Sequence, residues 1–490
     1  MVAAKGYHGS RQPRLVGPAH CPNMHGLQGT VAQIYLQGWM CLERECRAFF
    51  KIFRGSRELG EPIERSFDYD LRWLKQRTPW PNEDHEYPLA PDAERLPSHS
   101  VAGEDCSRAL WTGIVCPRCG QCCPRFAWSG WNASIRCGGF VKEAPHTFIP
   151  AASMRETWSH LSSSYMMSRD LYTDAVRQTV SFAHNYRIHR FTTPGIEGIV
   201  TNLIVNKIIM AEPRGPGAMF EVLQRVDIGL HRRELKTASN NYTQHFTVNF
   251  GMPYKFIAAA SSARFEGATA PITDTRSRLH WAAKFAFAQH ESKTMEVVSQ
   301  EWKPKEFNEV LDLGYLEDQR IGYHDDGEFG LGPSIATLRL GAPGIMKLRM
   351  KQKHYTGMSG SKILTEDRPI PGCMRYEERL AEQPDLDALK LRDDVAYKTK
   401  KKAIPQKLEL VRAKQAPDAI QMTLGHGDIV IMHGADLQKY YEHSVSHSGK
   451  LRFALTRRYI DPGSLAPSDR PTYEVAPDMS DYDGSKLAVM

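Results

Sequence analysis

The chain has 490 residues, 41% hydrophobic and 24% charged, enough to bury a full core and to hold two or three structural units. Lys and Arg number 63 against 56 Asp and Glu, so a formal charge of +7 permits a nucleic-acid partner without demanding one. No apolar run approaches the about 18 residues of a membrane span, and the start Met1-Val2-Ala3-Ala4-Lys5-Gly6 lacks the apolar stretch of a signal peptide. The expectation is a soluble protein of the nucleus or cytoplasm.

Residues 1–36 read as a disordered N-terminus. Residues 37–150 form a cysteine-rich module, since nine of the ten cysteines lie before residue 140. The run Cys116-Pro117-Arg118-Cys119 has the Cys-x2-Cys spacing that presents two thiolates to one tetrahedral ion, and Cys122, Cys123 and Cys137 stand close by. Inert reduced thiols are the alternative. Cys41 and Cys46, beside Trp39 and Phe49-Phe50, are either a second metal corner or apolar packing. Ser56 to Ser107 is rich in Pro and charge and reads as extended connecting chain.

Residues 151–300 read as a helical support and substrate-recognition region. Tyr165, Tyr172 and Val176 have helical spacing over Ser164–Gln178, and Ala218–Gln224 suggests another helix. From Gln244 to Phe256 aromatics recur at even spacing across two strands joined at Gly251-Met252-Pro253. Phe246, Phe250 and Tyr254 could stack on an extruded base, or they could be the apolar side of an ordinary strand.

Residues 301–462 carry the densest chemistry. Glu309–Tyr315 predicts a strand, and Ile321–Glu328 contains His324-Asp325-Asp326. Gly332–Gly341 predicts another strand, with Ile335, Thr337 and Arg339 on one face and Ala336, Leu338 and Leu340 on the other. Residues 355–417 form an insertion, helical on the surface around Pro384. Its run Lys398-Thr399-Lys400-Lys401-Lys402 is either a phosphate contact, a nuclear localisation signal or a solvated helix end. A His-x-Asp pair followed by one distant His is the ligand set of the facial triad that holds non-haem Fe(II). His426, His433, His443 and His447 compete for the third place. His443 is chosen, with His433 second, because the strand after it carries Arg452 and Arg458. Residues 463–490 read as a disordered tail.

The order His324-x-Asp326, His443, Arg452-x5-Arg458 resembles AlkB-type dioxygenases, which depend on iron and 2-oxoglutarate and demethylate nucleic-acid bases oxidatively. The likeness is nearest to large fungal members with an N-terminal cysteine-containing region, and runs from about Gln37 to Pro462. It implies an α+β fold, a double-stranded β-helix (jelly-roll, cupin-like) barrel with flanking helices behind the cysteine module. It implies Fe(II) on His324, Asp326 and His443, and 2-oxoglutarate held by Tyr315, Arg452 and Arg458. It also implies a structural zinc on Cys116, Cys119 and Cys137, with Cys122 or Cys123 as the fourth thiolate or else an incomplete site, and a base-recognition segment at Phe246, Phe250 and Tyr254. The expected activity is demethylation of N-methylated bases in DNA or RNA, in repair or modification. The competing expectation is a 2-oxoglutarate oxygenase of a protein side chain or small molecule. Two departures stand out: Leu313 and Ala454 occupy places where relatives carry Asn.

Overall fold

A computed structural model of the chain describes residues 31–32, 39–41, 52–54, 57–60, 114–115, 122–123, 125–132, 141–144, 148–154, 169–171, 175–233, 242–243, 245–254, 262–316, 319–411, 415–447, 449, 451–478 and 482–486. Two sheets face each other. The strands, in chain order, are β1 (Arg169–Leu171), β2 (Arg177–Ala183), β3 (Tyr186–Thr192), β4 (Ile199–Val205), β5 (Phe246–Gly251), β6 (Ser262–Ala263) and β7 (Glu309–Leu316). They continue as β8 (Ile321–His324), β9 (Leu331–Gly341), β10 (Gly344–Met350), β11 (Asp418–Leu424), β12 (Ile429–His433), β13 (Tyr441–His447) and β14 (Leu451–Ile460). The nine-stranded sheet runs β2-β3-β4-β12-β9-β14-β7-β5-β6, and the five-stranded sheet runs β8-β13-β10-β11-β1. This sheet-rich α+β arrangement is consistent with a jelly-roll barrel.

Alternation along each strand divides the core in two. From the large sheet, Phe191, Val200, Ile335, Val430 and Met432 meet Met346, Leu348, Met422 and Val445 of the small sheet. The opposite face of the large sheet, including Phe246, Val310, Leu338, Phe453 and Leu455, packs against α1 (Pro216–Arg225) and α2 (Ala270–Glu291). Pro at the first turn starts both helices, and Ser292 in the left-handed region ends α2. Each fully buried Phe or Leu here contributes about 1.5–3 kcal/mol. Trp128, from the end of the cysteine-rich region, rests edge-on to Phe246 at 5.2 Å; a Cβ on Gly314 would lie 2.9 Å from its ring, so glycine makes room for the indole.

Several expectations change. Within Ser164–Gln178 no described residue is helical: residues 169–171 form β1, which pairs with β11, and β2 begins at Arg177. Of the three residues at helical spacing, Tyr165 and Tyr172 lie outside the described residues, and Val176 directly precedes β2. The large sheet draws strands from both sides of residue 300, so 151–300 and 301–462 share one sheet. The segment 463–490 is not a disordered tail where described. Asp478 accepts from Ser277 at 2.9 Å and pairs with His280 at 2.8 Å, while Tyr482 accepts from Arg278 at 2.7 Å. Gly484 sits against Trp281, so this segment covers α2. The insertion is helical, as α3 (Tyr376–Ala381), α4 (Gln383–Arg392) and α5 (Asp394–Lys407). No helix among the described residues is long and apolar enough to cross a membrane.

In the cysteine-rich region Ile114–Val115 pairs with Cys122–Cys123. Cys116, Cys119 and Cys137 lie outside the described residues, as does the side chain of Cys122.

Candidate metal and cosubstrate site

Four inward rungs cross β7, β14 and β9. They set Tyr315 opposite Arg452 opposite Gly341, then Leu313–Ala454–Arg339, Leu311–Thr456–Thr337 and Glu309–Arg458–Ile335. The small sheet closes the other side, with His324 of β8 directly across from His443 of β13.

His324, Asp326 and His443 converge, their ligand atoms all within 4.8 Å of one another. His324 Nδ1 donates to the Gly322 carbonyl at 2.8 Å, which leaves Nε2 as the free lone pair. His443 Nε2 lies 3.8 Å from Asp326 Oδ2, and the two imidazole centroids are 4.2 Å apart. Arg458 Nη2 donates to Asp326 Oδ1 at 2.8 Å, and its Nη1 is 3.6 Å from Glu309. Gln438 accepts from the Asp326 backbone N–H at 3.3 Å.

Burial raises the Asp326 carboxyl, but the charge and hydrogen bond of Arg458 prevail and hold it at about 2. Burial, then His324, push His443 down to about 3, so its imidazole stays neutral and able to ligate. Burial lifts Glu309 to about 8 against the opposing charges of Arg458 and Arg457, and lifts Asp312 to about 7. Two imidazoles and one carboxylate on fixed backbone suit a divalent transition ion, with one coordination face open.

Three rungs along from Arg458 on the same inward face, Arg452 is fully buried, and none of its three guanidinium nitrogens has a hydrogen-bond partner. Its guanidinium lies 5.2 Å from the Tyr315 ring centroid and packs beside Gly344, where a Cβ would lie 3.0 Å from it. An unpaired buried cation of this kind fits an anionic ligand, and its fork matches a carboxylate. The residues therefore fit both a metal ion and a dicarboxylate.

The remaining sequence candidates divide. His433 is remote from the triad, bonded to Ser334 at 2.6 Å and packed on Phe287. His426 accepts from the Gly341 backbone at 2.9 Å. Phe246 and Phe250 do not face the cavity. They sit opposite Gly314 and Val310 on the helix-covered side of the sheet, and strand parity turns their neighbours Thr247 and Asn249 inward instead. Only Tyr254, past the end of β5, reaches the site: its hydroxyl donates to Glu328 at 3.1 Å, and Arg458 lies 4.5 Å from its ring centroid. In the basic run, Lys398 pairs with Asp394 at 2.6 Å, Lys400 with Asp385 at 2.7 Å and Lys401 with Asp367 at 2.7 Å. Sequence reasoning missed Glu309, Glu328 and Gln438. Glu309 had a signal, since it shares the parity of Tyr315; Gln438 had none.

Residues 266–458 match the family model of the 2OG-Fe(II) oxygenase superfamily. No curated protein matches the chain. A solved structure of OsALKBH1 aligns over 55% of this chain and 100% of that chain, at 12% identity and a TM-score of 0.26, a likeness too low to bear on fold or activity.

Proposed function

We propose that this chain, a 2OG-Fe(II) oxygenase by its residues 266–458, removes N-methyl groups from nucleic-acid bases by oxidation. Fe(II), 2-oxoglutarate and O2, when bound, would supply oxidative decarboxylation to succinate and CO2 coupled to hydroxylation of a substrate C–H bond, one atom of O2 going to succinate and the other to the new hydroxyl. His324 Nε2, His443 and Asp326 would hold the metal, and Arg452 would hold the distal carboxylate of 2-oxoglutarate. Arg458 keeps Asp326 ionised and fixed in direction, and its other terminal nitrogen lies beside Glu309. Tyr315 packs its ring beside Arg452. A hydroxylated N-methyl carbon then leaves as formaldehyde, returning the bare base.

The observation that carries the choice of a base is Tyr254. Its ring offers an aromatic face beside Arg458, and Glu328, its hydrogen-bond partner, offers an acceptor for an exocyclic amine. A resemblance of motif order to AlkB-type enzymes, together with the positive net charge, supports the same reading. One observation favours the second reading, an oxygenase of a protein side chain or small molecule: Phe246 and Phe250 face the helices, which leaves Tyr254 alone of the three expected aromatics at the site.

The test is formaldehyde release from a panel of N-methylated DNA and RNA oligonucleotides by Fe(II)-loaded protein, with His324→Ala as control. Release from one class, lost in the control, supports demethylation and names the substrate. Succinate formation that no oligonucleotide stimulates moves the activity to a protein or small molecule.

A further inference from the structure

Three arginines point into the barrel from its large sheet, and they differ in how they are paired. Arg458 meets two carboxylates, Asp326 and Glu309. Arg452 and Arg339 meet none among the described residues, yet both are buried, with Arg339 6% exposed and its Nε unpartnered. Burial, then the charge of neighbouring Arg452, drive Arg339 well below the usual arginine range, and only the Tyr315 phenol opposes them. Two unpaired cations in one enclosed space are costly unless an anion enters.

Their register says what kind of anion. Arg452 and Arg339 lie on adjacent inward rungs, with Arg339 one rung nearer to the end of β14 that carries Arg458. The Arg339 rung is Leu313–Ala454–Arg339, whose first two members offer no hydrogen-bonding side chain. Leu313, Ala454 and Tyr315 form a small apolar cluster there, and Ala454, directly opposite Arg339, leaves the space a guanidinium needs.

We propose that Arg339 is a second anchor for the cosubstrate, so that Arg452 and Arg339 together hold the two negative charges of 2-oxoglutarate, with Arg339 supplying the donors that Leu313 and Ala454 lack. The proposal rests on the oxygenase reading and adds a binding residue to it.

The test is anaerobic calorimetry of 2-oxoglutarate binding to Mn(II)-loaded protein, for wild type, Arg452→Met, Arg339→Met, Arg339→Lys and the double variant Arg339→Met/Ala454→Asn. Arg339→Met is expected to weaken binding about 10- to 100-fold, the worth of a charge-assisted hydrogen bond. Its Mn(II) affinity and its melting temperature without ligand should not fall. Arg339→Lys should retain part of the affinity, and the double variant should regain part of it by returning an amide to the same rung. Arg339→Met binding within about 2-fold of wild type, while Arg452→Met loses affinity, would overturn the role of Arg339 alone. Loss of Mn(II) binding along with 2-oxoglutarate would make Arg339 structural and overturn it too. Wild type that binds no 2-oxoglutarate would overturn the cosubstrate reading together with the second anchor.

Discussion

Arg458 donates to Oδ1 of Asp326 at 2.8 Å, with the two residues 5% and 2% exposed. This contact ties the far end of β14 to the metal-ligand loop, two regions 132 residues apart in sequence. It fixes the carboxylate so that its other oxygen, Oδ2, faces His443.

Removing that support should loosen the metal. Arg458→Met leaves Asp326 and Glu309 buried without their cation, and metal affinity should fall about 10- to 100-fold, as it does when an outer partner of a ligand is lost. Titration with Mn(II) followed by thermal stability reads both effects. Unchanged affinity would mean that Asp326 needs no orientation.

Arg452 is expected to act through its fork as well as its charge. Arg452→Lys keeps a cation but loses paired donors, and should weaken 2-oxoglutarate binding about 10-fold. Competition by succinate in the same assay would show whether a dicarboxylate is what the residue reads.

The aromatics divide between fold and substrate. Phe246→Ala opens a cavity under the helices and should cost about 3–5 kcal/mol of stability, with substrate preference unchanged. Tyr254→Ala lies at the site and should cost about 1–3 kcal/mol in oligonucleotide affinity, the worth of one stacked base, with little loss of stability. Denaturant unfolding and oligonucleotide binding, measured on both variants, separate the roles. The opposite pattern would put the base on the other face of the sheet.

Glu309 and Asp312 should make the fold less stable as pH rises. Their values of about 8 and about 7 lie above the ordinary 4.5 and 3.8, so between those limits the folded chain holds protons that the unfolded chain has lost. Stability should fall from about pH 4.5 towards 8 and level off above. Glu309→Gln should flatten that slope, and with Asp312→Asn flatten it further. Asp326 acts in the opposite sense: with its carboxyl at about 2, its contribution is present above about pH 4 and is lost as pH falls further. Melting temperatures across pH 4–9 check both signs.

The triad could be read from sequence because its two histidines sit on strands, with Asp326 just past the end of one, and the neighbouring strands carry their own pattern: Glu309–Leu316 before it, Leu331–Gly341 after it, and Leu451–Ile460 beside His443. The alternation that put Ile335, Thr337 and Arg339 on one face holds in the barrel, because a half-buried strand cannot slip by one residue. The same rule misled at Phe246 and Phe250. Even spacing shows that two side chains share a face, and only the partner strands show that this face meets α1 and α2. Arg458 was expected at the cosubstrate by resemblance, whereas its pairing with Glu309, and the places of Glu328 and Gln438, come from contacts between distant segments, for which no local pattern exists. The C-terminal segment misled for a related reason. Its polar composition reads as solvent-facing, yet Asp478 and Tyr482 find buried partners, His280 and Arg278, on α2.

The central claim is most directly tested by measuring succinate and formaldehyde together in one reaction of Fe(II)-loaded protein with 2-oxoglutarate and an N-methylated oligonucleotide. The account predicts equal amounts of the two products, both lost in His324→Ala and in Asp326→Ala. Succinate without formaldehyde would contradict the choice of a methylated base, and no succinate at all would contradict the site itself.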